Sequence, residues 1–252
     1  MQSGLYVVGT PIGNLADMSP RAIDVLKNVD LIAAEDTRVF GKLARYFDIK
    51  TKVVSCHEHN ERDVVDSLVE KIQKDMAIAT VSDAGMPGIS DPGFRLVRAA
   101  RDGKVPVFVV PGATAAVSAL VLSGFPTDRF TFCGFFDEKK VREDNKIRHT
   151  IIYYESPNRI MDTIKTLASV MPERQIAIVR EITKIHEEAI IGYPADLINI
   201  EPPRGEIVIV VAPAPDKKMS DEEISEIVND IVASSTKSAA AQLAVRTGIS
   251  KK

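Results

Sequence analysis

"MAIATVSDAGMPGISDPG" (residues 76–93) is the stretch on which the fold turns. Its first seven residues form an apolar run of strand length, and the remaining eleven hold Gly85, Gly88 and Gly93 together with Pro87 and Pro92. Glycine and proline are costly or constraining choices of backbone, so a loop this stiff is built to hold something at a strand end rather than merely to join two elements. The same unit recurs outward from it. "LYVVG" (5–9) reads as a buried strand, followed by Ser19 and Pro20 as a helix N-cap and first helical position. "DLIAAE" (30–35) precedes the helical "TRVFGKLARYF", and "KVVS" (52–55) precedes a helix capped by Asn60 with Asp63 three residues on. In that helix Val64, Val65, Leu68, Val69 and Ile72 recur at helical spacing. After a helix near 93–102, "VPVFVV" (105–110) leads through "PGATAA" into an alanine-rich helix. Continuous apolar strands alternating with helices predict a mainly parallel sheet covered on both faces.

Past "GFPTD" (124–128) the pattern changes. "RFTFCGFF" (129–136), a polar and basic stretch "DEKKVREDNKIRH", and then "TIIYYE", "RQIAIVREI", "EEAIIG" and "GEIVIVV" give strands more closely spaced, with fewer helices between them. The chain is therefore α/β, with an N-terminal α/β domain over 1–124, a C-terminal α/β domain with a mixed sheet over 125–213, and a helical tail over 214–252. In the tail, Ser220 and Glu223 form a capping box ahead of Ile224, Ile227, Val228 and Ile231.

Composition narrows the classes. An apolar share of 45% over 252 residues supports a sizeable core, and a net charge of −3 fits neither a disordered chain nor a uniformly basic nucleic-acid binder. Two distant cysteines, Cys56 and Cys133, argue against a disulfide framework and for a reducing cytoplasm. No leader pattern or apolar run of about 20 residues is present, so the expectation is a soluble intracellular protein without a membrane span.

Three strand ends are loaded with close-approach residues: "GTPIGN" (9–14), the 82–93 loop and "PGATAA" (111–116). Ligands of open parallel sheets bind beyond such ends. Neither G-x-G-x-x-G nor a P-loop occurs, so recognition falls to backbone groups and to Asp83, whose carboxylate suits a ribose hydroxyl or an ammonium.

"GTPIGNLADMSPRAIDVLKNVDLIAAEDTR", "CHEHN", "VSDAGMPGISDPGFRLV", "FPTDRFTFCGFF", "YYESPNR", "REITKIHEE" and "PPRGE" together resemble the ribosomal RNA small subunit methyltransferase I family, in order over roughly residues 5–211. That family lies within the tetrapyrrole methylase superfamily. The resemblance implies two α/β domains with S-adenosylmethionine in the cleft between them, usually in a homodimer. It also implies transfer of a methyl group to the ribose 2′-hydroxyl of a decoding-centre cytidine, in small-subunit ribosomal RNA of an assembled 30S-type subunit. The chain departs from the pattern at Gly9, Met86 and Gly88, where alanine, threonine and leucine are usual, and at "PGATA" for "PGPSA". By the same resemblance Asp83 belongs to the cofactor site, with Gly85 letting the backbone approach and Met86 lining it. Pro11, Ala84, Thr114 and Ala115 join them from the three loops, and Tyr154, Glu181 and Gly205 close the adenosine pocket from the second domain.

The weakly acidic acceptor hydroxyl needs in-line positioning and a destination for its proton. Glu35, Asp36, His57 and Glu58 are the candidates, all at or just past strand ends on the cofactor side. Asp36 reads equally as an N-cap for the helix it precedes. Cys56, His57 and His59 invite a metal reading, but a structural zinc takes four ligands and no second cluster accompanies them, so no metal is expected. Candidate RNA contacts are Asn14, Arg38 and the run Lys139, Lys140, Arg142 and Arg148; a solvated helix face is the alternative for the run. Two rivals stand beside the RNA methyltransferase reading. One is a relative acting on a tetrapyrrole or protein acceptor; the other is a non-catalytic nucleotide-sensing module.

Overall fold

The structure is a computed structural model that describes residues 1–57 and 60–215, without the side chain of Asp63. Met1–Ala214 form one compact unit and Pro215–Lys252 a second, so the predicted tail helix lies outside the described residues.

The first sheet holds β1 (Gly4–Val8), β2 (Leu31–Ala34), β3 (Val53–Ser55), β4 (Ala77–Val81) and β5 (Val107–Val110), in the order β3-β2-β4-β1-β5. All its pairings are parallel, with Leu5 opposite both Ile78 and Val107. Every residue of β1, β2 and β4 is buried, as unbroken apolar runs require when helices cover both faces. Between the strands come α1 (Pro20–Asn28), α2 (Thr37–Tyr46), α3 (Glu61–Gln73) and α4 (Phe94–Asp102). Tyr6, Val8, Leu26, Ile32, Phe40 and Ala79 pack one side; Leu5, Leu68, Ile72, Ile78 and Leu96 pack the other. Each of the leucine, isoleucine, valine and phenylalanine side chains contributes on the order of 1.5–3 kcal/mol by leaving water.

Two caps form as the sequence predicts: Ser19 accepts from the Ala22 amide, and Asp36 accepts from the Arg38 amide. Asn60 does not cap α3. Its backbone is already helical, which turns the side chain back toward β3, where Oδ1 accepts from the His57 amide at 2.8 Å and Nδ2 donates to the Ser55 carbonyl at 3.2 Å.

Helix α5 (Ala115–Ser123) leads out of the first sheet and packs its Ala116, Ala119 and Leu120 face against the second. That sheet is mixed, in the order β6-β7-β10-β8-β9. It comprises β6 (Phe130–Phe135), β7 (Thr150–Glu155), β8 (Ile176–Arg180), β9 (Glu188–Gly192) and β10 (Ile207–Val211). Only β6 and β7 run parallel; the other three pairings are antiparallel. Its other face is covered by α7 (Ile160–Val170), with the short helices α6 (Val141–Asp144) and α8 (Pro194–Leu197) at the periphery. The buried Arg174 ties the end of β10 to the start of β7, donating to the carbonyls of Ala212 (2.7 Å), Ile147 (2.8 Å) and His149 (2.8 Å).

Candidate active site

The parallel order places the carboxyl ends of β3, β2, β4, β1 and β5 in one row. The loops after β4, β1 and β5 are therefore neighbours, and they are stitched together. Thr10 and Gly85 exchange backbone bonds of 2.9 and 3.1 Å, and the Gly9 amide donates to the Val110 carbonyl at 3.0 Å. Gly9 and Gly112 meet back to back: a Cβ on Gly112 falls 2.8 Å from the Gly9 backbone, and one on Gly9 falls 2.6 Å from the Met86 sulfur. Met86 thus occupies the space that a side chain at position 9 needs.

Against these loops opens a cavity of about 320 Å³, within the range of small-molecule sites. Ile12, Ala84, Gly85, Met86, Thr114 and Ala115 line it from the first sheet. The second sheet supplies Phe135, Tyr154, Ile182 and the Gly205–Val208 strand entry. Gly85, at φ +79, brings its backbone against Ile12 and the Ala113 carbonyl. Thr114 caps α5 by accepting from the Val117 amide, and Tyr154 packs with Ala116 at the start of that helix. Such a cradle of helix-start amides, glycine backbone and apolar walls fits a nucleoside-bearing cofactor.

Seven of the ten cofactor candidates line this cavity: Ala84, Gly85, Met86, Thr114, Ala115, Tyr154 and Gly205. Three do not. Pro11 is buried behind Ile12 in the chain, in the same loop. Glu181 lies under the cavity floor, at φ +51, where Oε1 accepts from the Glu206 amide (3.0 Å) and from Lys184 (2.9 Å). Those donors hold its carboxyl below the usual range. A Cβ on Gly205 would collide with the Glu181 carboxylate, so the glycine is required by this prop.

Asp83 turns to the neighbouring strand end instead. Its carboxylate accepts from the Asp36 amide at 3.1 Å, while its own amide donates to Glu35 at 3.1 Å. These reciprocal bonds weld the ends of β2 and β4 and gather Glu35, Asp83 and Asp91 into one acidic patch. Burial, then mutual repulsion, raises the carboxyls of Glu35 and Asp83, and pushes Asp91 up to about 6. Asp36 behaves differently. The Arg38 guanidinium grips it through bonds of 3.1 and 2.6 Å and holds its carboxyl far below the usual range. Capping and this ion pair occupy Asp36 fully, leaving it a poor proton acceptor.

His57 follows β3, its Nδ1 accepting from the Asn60 amide at 3.2 Å; Glu58 lies outside the described residues. Cys56 is buried and its thiol is pushed up to about 11, which disfavours the thiolate a metal takes. Among the described residues no group of three potential metal ligands forms, and His59 lies outside them. Of the RNA candidates, Asn14 caps a short 3-10 turn (Leu15–Asp17). Lys139, Lys140, Arg142 and Arg148 are all exposed around α6, with Lys140 3.7 Å from Asp137.

The cavity residues that sequence reasoning did not place are Ile12, Ile89, Ser90, Asp91, Phe135, Glu155, Ser156, Pro157, Ile182 and Glu206 to Val208. Ile89, Ser90 and Asp91 stood in the glycine-rich loop after β4 and Ile12 in the loop after β1; the contact of the second sheet marks the others.

An open parallel sheet whose strand-end loops meet a second, mixed sheet across a cofactor-sized cavity defines a methylase-type fold. The family model for tetrapyrrole (corrin/porphyrin) methylases matches residues 4–197. A ribosomal RNA small subunit methyltransferase I from Synechocystis is 42% identical over 91% of this chain and 87% of its own. One from Halalkalibacterium halodurans is 47% identical over 75% of this chain and 67% of its own. Among solved structures, a uroporphyrin-III C-methyltransferase from Thermus thermophilus, complexed with S-adenyl homocysteine, superposes with a TM-score of 0.58. It covers 83% of this chain and 97% of its own at 19% identity, a likeness of fold. The chain belongs to the ribosomal RNA small subunit methyltransferase I family of the tetrapyrrole methylases.

Proposed function

We propose that the protein methylates small-subunit ribosomal RNA, taking the methyl group from S-adenosylmethionine and placing it on a cytidine 2′-hydroxyl in the decoding centre of an assembled subunit. The observation that carries the cofactor assignment is the cavity where the loops after β4, β1 and β5 face Tyr154 and the Gly205 turn. The acceptor is carried by family membership and by the acidic row beside that cavity.

The division of labour follows the row of strand ends. Residues 1–124 supply the cofactor loops and the acceptor side, and 125–213 close the site. The Thr114 and Ala115 amides at the start of α5 hold the cofactor's polar groups, Gly85 lets the backbone approach, and Ile12, Met86 and Val208 exclude water. The cofactor, when bound, supplies a methyl group already activated on a sulfonium. Glu35 and Asp83 lie on the acceptor side of the cavity rather than in it. Arg38, Asn14 and the exposed run around α6 meet phosphates.

The reading includes a homodimer. Helix α5 is apolar all round, a pattern of helices buried on every side, yet Val117, Val121 and Leu122 are exposed, with Val121 68% open. Val109 on the edge strand β5 is exposed as well, and the reading has a second copy cover these side chains.

The test is methyl incorporation from labelled S-adenosylmethionine into small ribosomal subunits lacking the modification, with the product nucleoside identified. 2′-O-methylcytidine supports the reading. A base-methylated nucleoside, or label entering a tetrapyrrole but not RNA, refutes it.

A further inference from the structure

Among the described residues three carboxylates line the cavity: Asp91, Glu155 and Glu206. Glu155 is committed to the Ser156 amide, the Thr163 hydroxyl and Arg159. Glu206 is bound to Lys184 at 2.7 Å. Asp91 is in no ion pair among the described residues, and the Ser82 hydroxyl that faces it donates to the Ala84 carbonyl at 3.3 Å. Its position is rigidly set. Ser90 before it is held at φ +61, the Gly88 amide donates to the Pro92 carbonyl at 3.0 Å, and the Gly93 amide donates to the buried Glu61 at 3.1 Å.

The groups around Asp91 are Glu35 and Asp83 from the ends of β2 and β4, and Tyr154 from β7. Glu61 and its partner Arg95 lie behind the loop, and Arg38 is spent on Asp36. Among the described residues no cation is paired with Asp91, and burial and the neighbouring anions push its carboxyl up to about 6. Such a group is still ionised at neutral pH yet is a stronger base than an ordinary carboxylate. In the same cavity wall Phe135 stands 56% exposed, its ring edge-on to Tyr154 with centroids 5.7 Å apart. An exposed ring of this kind is a stacking platform for an unpaired base.

We infer that Asp91 is the catalytic base for the acceptor hydroxyl, and that the acceptor's nucleobase stacks on Phe135. The inference rests on the methyltransferase reading above. In the step, the hydroxyl O–H bond breaks and its proton passes to the Asp91 carboxylate. The oxygen forms a bond to the methyl carbon, and the carbon–sulfur bond breaks with its electron pair retained by sulfur. The sulfonium charge is discharged and no other reactant is consumed.

The test is Asp91→Asn in the full chain. Methyl transfer to small subunits at pH 8 falls roughly 10²- to 10⁴-fold, while calorimetric affinity for S-adenosylmethionine stays within about threefold of the parent. The parent's rate falls about tenfold per pH unit below pH 6, and the residual rate of the variant does not. A second readout needs no turnover. A carboxyl whose folded pKa exceeds its unfolded value contributes stability below the unfolded pKa and loses it as pH rises through the folded one. Asn in place of Asp91 therefore gains on the parent in urea denaturation between pH 4 and 7. Transfer by the variant within about twofold of an active parent overturns the inference, as does parallel loss of cofactor affinity. A parent that binds the cofactor yet methylates no subunit overturns the proposed function, and this step with it.

Discussion

Replacing Gly205 with alanine tests the coupling between the cavity floor and the Glu181 prop. Gly205 sits at φ +89, where an L-residue pays about 1–2 kcal/mol. The new Cβ also lands on the Glu181 carboxylate, which must swing away from the Glu206 amide at 3.0 Å and from Lys184 at 2.9 Å. Both donors are partly exposed, so their loss adds roughly 0.5–1 kcal/mol each. The expected destabilisation is about 2–4 kcal/mol, read by urea denaturation with unchanged slope. Cofactor affinity should fall as well, because residues 205–208 line the cavity. A double-mutant cycle separates the two parts: in a Glu181→Ala background the collision is gone, and only the conformational cost of about 1–2 kcal/mol remains. An equal cost of Gly205→Ala in both backgrounds refutes the reasoning.

Three further outcomes are expected. Arg174→Met strands three part-buried carbonyls and should cost about 3–5 kcal/mol in chemical denaturation, whereas a cost below about 1 kcal/mol would mean water replaces the guanidinium. If the proposed homodimer forms through α5, Val121→Glu should lower the sedimentation coefficient to that of a monomer at micromolar concentration; an unchanged coefficient refutes that interface. Changing Lys139, Lys140, Arg142 and Arg148 together to glutamine should flatten the salt dependence of RNA affinity by up to about four units while sparing cofactor binding, and equal slopes would make the run a solvated face.

The elements of the first sheet were legible because buried parallel strands leave unbroken apolar runs, and the glycines at 85, 88 and 93 marked a strand-end loop that lines the cavity. The direction of single side chains was not. The Asn60–Asp63 spacing predicts a capping box, but a helical backbone at Asn60 sends its amide to His57 and Ser55 instead. Asp83 stands in the cofactor loop by sequence, yet reciprocal bonds to the end of β2 draw it to the acidic patch. Glu181 is a prop, because Lys184 and the Glu206 amide claim its carboxylate. Phe135 and Ile182 carry no local signal; the way the two sheets face each other creates their role. Helix α7 was hidden among the closely spaced strands of the second half.

Titration calorimetry of S-adenosylmethionine into the parent and into Ala115→Trp tests the central claim most directly, because Ala115 lines the cavity and an indole there fills it. The parent should bind one cofactor per chain. The variant should lose at least about 100-fold in affinity with an unchanged thermal midpoint. Equal affinity in a folded variant would place the cofactor somewhere other than between the strand-end loops and the second sheet.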